Sequence, residues 1–125
     1  MDEIRLTLPQ EPEYLPVAHL VLGGLGSRLD LTLEGLDDLK LALDSLIQSA
    51  RVRGDVTIAV RLDDRVLRTD VGPFDADALR AELAEPAAGV GLRRILDTVV
   101  DRVDVRSGAG GDWVTLAKAI PSDER

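Results

Sequence analysis

The sequence predicts an α+β domain built as a two-layer sandwich, with a mixed, mostly antiparallel sheet and helices on one of its faces. Three observations carry this expectation. Segments that alternate apolar and polar residues, the period of a strand with one buried face, come in adjacent pairs: residues 56–62 with 66–69, and 103–106 with 113–117. Other segments repeat Leu, Val or Ile every three or four residues, the period of a helix with one buried face. The resulting order, β-α-α-β-β-α-α-β-β, sets runs of helices between hairpins instead of one helix between successive strands.

Each element has its own signal. Ile4-Arg5-Leu6-Thr7-Leu8 alternates and is stopped by Pro9 and Pro12, giving a first strand and its exit loop. From Tyr14, the series Leu15, Ala18, Leu22, Leu25, Leu29 reads as a helix. Gly23, Gly24 and Gly26 weaken it; their spacing lacks the third glycine of a dinucleotide loop and reads as close helix–helix packing. Leu36, Leu39, Leu43, Leu46 and Ile47 form a second helix, with Thr32 and Glu34 as capping candidates. Gly54-Asp55 punctuates, and Asp63-Asp64 supplies the turn of the first hairpin. A short helix over residues 77–83 follows Gly72-Pro73, and Gly91 leads into Leu92, Ile95, Leu96, Val99 and Val100 at helical spacing. Ser107-Gly108-Ala109-Gly110-Gly111 joins the last two strands.

A chain of 125 residues is sized for one domain, residues 1–125 with a core over about residues 4–120. The core is aliphatic, since the chain has one Phe, one Tyr and one Trp against a hydrophobic fraction of 45%. A net charge of −8 repels phosphate backbones and excludes nucleic-acid binding through a basic face. The absence of cysteine removes disulfides, thiolate nucleophiles and thiolate metal ligands. The first residues lack the basic start and apolar stretch of a secretion signal, and no apolar run approaches the roughly 20 residues that span a bilayer, so a cytoplasmic protein is expected.

Several residue groups carry possible chemistry. Gly89-Val90-Gly91-Leu92 precedes an apolar-periodic helix, where backbone amides can cradle a phosphate; the same pattern also serves a plain loop-to-helix junction. Asp70 is either a ligand or a strand-end carboxylate that begins a turn. His19, the only histidine, lies among apolar helix residues with no pattern-matched carboxylate and reads as a packed or half-exposed side chain. Trp113 reads as core or edge cover. Glu34, Asp37 and Asp38 read as a solvated helix start that complements the dipole. Arg93 and Arg94 either reach phosphates or sit on an exposed helix face.

Taken in order, Asp70-Val71-Gly72, Phe74-Asp75, Gly89-Val90-Gly91-Leu92 and Gly111-Asp112-Trp113-Val114-Thr115-Leu116 form a series that resembles the anti-sigma-factor serine kinases of the GHKL, or Bergerat-fold, ATPase superfamily. The helix of residues 38–50 fits that family's D-L-x-L-A-V-x-E-x-x-x-N-A frame, and the resemblance runs from about residue 4 to 120. It implies a Bergerat-type sandwich in which Asp70 binds the adenine amino group and Gly72 lets the backbone close on the base. It also implies that Gly89 and Gly91 lie beside the phosphates and that Thr115 supports Asp70. The helix frame departs: Ser45 stands where the family has its catalytic Glu, and Ser49 where it has its Mg²⁺-binding Asn. A serine hydroxyl is too weak a base to replace a carboxylate and is shorter than an Asn carbonyl as a ligand for a hard cation. Asp44 and Gln48, one position away, project about 100° around the helix. The stretches after Ala50 and around Val71-Gly72 are also shorter than the family's.

The resemblance therefore implies an anti-sigma-like regulator that binds a sigma factor, a STAS-type anti-sigma antagonist or both, with binding of ATP and Mg²⁺ weak or lost. One alternative is an active serine/threonine kinase of the antagonist. Another is the stand-alone ATP-binding half of a split sensor histidine kinase, disfavoured by the lack of a preceding dimerisation helix with a phosphoacceptor histidine. A homodimer is expected from the resemblance and from the open edge of so small a sheet.

Overall fold

A computed structural model describes residues 3–28, 32–49, 52–63, 65–83 and 92–119. The chain forms β1 (Glu3–Leu8), a 3₁₀ turn (Pro12–Tyr14), α1 (Leu15–Arg28), α2 (Leu33–Ser49), β2 (Val52–Asp63), β3 (Val66–Phe74), α3 (Ala76–Leu83), α4 (Leu92–Val99), β4 (Arg102–Gly108) and β5 (Gly111–Ala119). The element order is the one expected. The five strands lie in the order β1-β2-β3-β5-β4, and every described pair is antiparallel, so the expected mixed sheet is a uniform one. Helix geometry explains the first pair: His19 near the start of α1 meets Asp44 near the end of α2, so the helices return the chain to the sheet end that β1 left.

Both hairpins are tighter than the sequence suggested. Asp63 pairs with Val66, and Arg65 before it lies in the left-handed region at φ 64°. Gly108 pairs with Gly111, leaving Ala109-Gly110 as the loop, and Gly110 supplies the positive φ of 82°.

Strand register sorts the side chains into two faces. Ile4, Val60, Thr69, Leu116 and Val103 share one row; Leu6, Ile58, Val71, Val114 and Val105 share the next on the same face. The buried leucines of all four helices, among them Leu22, Leu43, Leu79 and Leu96, join these strand residues in one core. Truncating a residue such as Leu43 to Ala would cost about 2–5 kcal/mol.

Local bonds fix the helix ends. Thr32 Oγ1 accepts the Gly35 N–H at 2.9 Å and the Thr32 carbonyl accepts the Leu36 N–H at 2.9 Å, so Thr32 is the N-cap of α2. Asp75 caps α3 in the same way through Ala78 N–H. Lys118, on the core face of β5, donates to the Val99 carbonyl at the end of α4 and lies 3.5 Å from Asp38 of α2, joining two helices to the sheet. Asp38 is thus held, while Glu34 and Asp37 are exposed as the sequence suggested. The glycines of α1 differ from expectation: a Cβ on Gly23 or Gly24 would meet open space, so neither mediates close packing. Among the described residues no helix is long and apolar enough to cross a membrane.

Candidate nucleotide site

Asp70 sits near the middle of the sheet, opposite Ala59 of β2 and Thr115 of β5. Its Oδ1 accepts the Thr115 hydroxyl at 2.5 Å, so the structure brings together the Asp and Thr that the family resemblance pairs. Its Oδ2 accepts from Arg61 Nη1 at 3.2 Å, and Arg106 Nη2 lies 3.6 Å away. Neither arginine was singled out in the sequence, although both lie in phase with Asp70, Arg61 on the adjacent β2 and Arg106 on β4 across β5.

The face on which this cluster lies decides what it can touch. Thr69, Val71, Val114, Leu116 and Lys118 point toward the helices, as the reach of Lys118 to α2 and α4 demonstrates. Asp70 and Thr115 alternate with them and point to the opposite face. Asp70 and Thr115, the two residues to which the resemblance gives the adenine role, therefore lie on the sheet face opposite the helices. Leu67, Thr69, Val71 and Val114, Leu116 already carried this signal in the sequence, since the core phase skips both residues.

Ser45 lies on α2, half-buried, about two helical turns beyond Asp38 and on the same stripe. Asp38 of that stripe lies 3.5 Å from Lys118, and Ser45 stands where the resemblance sets the family's Glu. Ser45 and Asp70 are consequently on opposite sides of the sheet. Ser49 ends α2. Asp44, the neighbouring carboxylate, points to α1 instead and pairs with His19 at 2.8 Å, a contact across 25 residues that the sequence reading missed.

Gly72 is buried, and a Cβ there would fall 2.7 Å from the Trp113 ring, so indole packing requires the glycine. Trp113 is half-buried on the open face, and its Nε1–H donates to the Ala109 carbonyl. Gly89 and Gly91 lie outside the described residues. Immediately after them, Arg93 pairs with Asp97 on α4 and Arg94 is exposed. A cleft of about 360 Å³ is lined by Leu79, Arg80, Leu83, Arg93, Val105 and Asp112, and includes neither Ser45 nor Asp70. Among the described residues no group of three His, Asp or Glu is arranged to hold a metal ion.

Comparison with known proteins supplies the family. A serine-protein kinase RsbW from Oceanobacillus iheyensis is 39% identical over 98% of this chain and 90% of its own length. The chain belongs to the RsbW family of anti-sigma-factor serine-protein kinases. The RsbW of Bacillus velezensis is 28% identical over 94% of this chain and 84% of its own length, and that of Bacillus pumilus 29% over the same shares. A crystal structure of the RsbU and RsbW domains of Rv1364c from Mycobacterium tuberculosis matches with a TM-score of 0.68 at 14% identity, covering 100% of this chain and 34% of that one, and shows a shared fold. No family model matches the chain. Set against the ATP and Mg²⁺ that RsbW kinases use, the described residues present Asp70 and Thr115 on the face away from α2 and a serine, Ser45, on α2 where a general base would stand.

Proposed function

We propose that this RsbW relative is an anti-sigma-type regulator that works by holding protein partners, a sigma factor and a STAS-type antagonist, with adenine-nucleotide binding weakened or lost. The observation that carries this reading is the pairing of an RsbW scaffold with Ser45 and Ser49 at the two positions where the family frame has Glu and Asn. A hydroxyl at position 45 leaves no base to activate a substrate serine, and a hydroxyl at 49 is a short ligand for Mg²⁺. Partner binding needs neither group. The outer side of α1 offers it an apolar surface, with Leu20 77% exposed and Val17 exposed beside it. The same reading takes residues 1–125 as a single domain and the working form as a homodimer.

Calorimetric titration of the purified protein against the sigma factors and STAS-domain proteins of its source organism, with and without MgATP, tests this. The expected outcome is a complex with at least one of them whose affinity is unchanged by MgATP, and no transfer of labelled phosphate to the STAS protein. Rapid phosphate transfer would replace this reading with that of an active kinase.

A further inference from the structure

The Asp70 carboxylate is 11% exposed, although among the described residues the buried side chains of the helices all join the core on the other face of the sheet. What surrounds it is the sheet's own side chains. Arg61 comes from β2, Asp70 from β3, Thr115 from β5 and Arg106 from β4, and these four strands are consecutive in the sheet. One carboxylate on β3 thus engages partners on β2, β5 and β4. We infer that Asp70 is the centre of a cross-strand clamp on the open face of the sheet and is not a nucleotide ligand in this chain, so that nucleotide control of partner binding does not run through it.

The chemistry supports the assignment. An ionised carboxylate with little exposure requires cationic or hydrogen-bonding partners, and here two guanidinium groups and a hydroxyl supply them. The adenine amino group is a neutral donor and would have to compete with two guanidinium groups and a hydroxyl for the same two oxygens. Arg61 and Arg106 are 37% and 55% exposed, so each pair alone is weak; sharing the less exposed carboxylate is what makes the group a unit. Thr115, which the family frame assigns to support an adenine-binding Asp, here supports the clamp.

The test uses the full chain, MgATP as the probe, Asp70→Asn, and Arg61→Met with Arg106→Met, which keeps apolar stems and removes both charges. Asp70→Asn is expected to lower the unfolding midpoint by about 4–10 °C. Combining it with the arginine pair should lower the midpoint by clearly less than the sum of the separate shifts, because all three remove one cluster. If the wild type binds MgATP at all, folded Asp70→Asn should bind it within about twofold. In that case the clamp stands while the reading of lost nucleotide binding falls. An unchanged midpoint in Asp70→Asn overturns the clamp, and so does a tenfold or greater loss of MgATP affinity measured where the variant is fully folded.

Discussion

His19 Nε2 lies 2.8 Å from Asp44 Oδ1, and this contact joins the start of α1 to the last turns of α2. Both side chains are about two-thirds buried, so the contact is shielded enough to contribute to stability. Replacing either with Ala should cost about 0.5–1.5 kcal/mol, and the double replacement should cost less than the sum by about 0.5–1 kcal/mol. Urea unfolding of the four proteins measures this; strict additivity would show that the two groups do not interact in solution.

Thr69 carries a second, opposite expectation. It is fully buried under the helices, and its Oγ1 has no hydrogen-bond partner among the described residues. Thr69→Val keeps the shape and removes the hydroxyl, so it should stabilise the fold by about 1 kcal/mol. A destabilised Thr69→Val would mean that the hydroxyl is satisfied in solution, by a bound water or ligand.

Two glycines should respond with opposite signs to the same change. Gly72→Ala drives a Cβ to 2.7 Å from the Trp113 ring and should cost about 1–3 kcal/mol, with an altered tryptophan emission. Gly23→Ala adds a methyl to a helix where nothing lies within 4 Å, and should gain about 0.5–1 kcal/mol. Thermal unfolding of both variants, run side by side, checks the pair of signs.

Restoring the family residues on α2 should not restore the site. Ser45→Glu with Ser49→Asn returns a carboxylate and an amide, but Asp70 and Thr115 remain on the other face of the sheet. The expected gain in Mg²⁺-dependent ATP affinity is below about tenfold, which is less than 1.4 kcal/mol. Calorimetry in Mg²⁺ and in EDTA reads it, and a gain of a hundredfold would mean that the adenine end of the pocket is intact after all.

The sequence made most of the architecture legible, because its signals were periodic. Leu39, Leu43 and Leu46 defined α2, Thr32 capped it, and the alternation of residues 56–62 defined the strand on which the first hairpin is built. The site was less legible for two physical reasons. Matching Asp70-Val71-Gly72 and Thr115 to family motifs fixed their order along the chain but not the sheet face, which depends on the phase set by Leu67, Thr69, Val71 and Leu116. Contacts such as His19 with Asp44 and Asp70 with Arg106 join residues far apart in sequence, and no local period encodes them.

The strand order has a consequence for how the chain assembles. The pairs β2–β3 and β4–β5 close over loops of two residues, whereas β5 must insert between β3 and β4 and reach a partner 45 positions away at Asp70 and Thr115. Loop closure of that length is entropically costly and comes after the local hairpins. The β3–β5 seam therefore zips after the local hairpins, as does the equally non-local β1–β2 pair, and it is the line along which the C-terminal hairpin can peel away. Amide exchange at Val71 and Val114 would report that parting separately from the protection of β2.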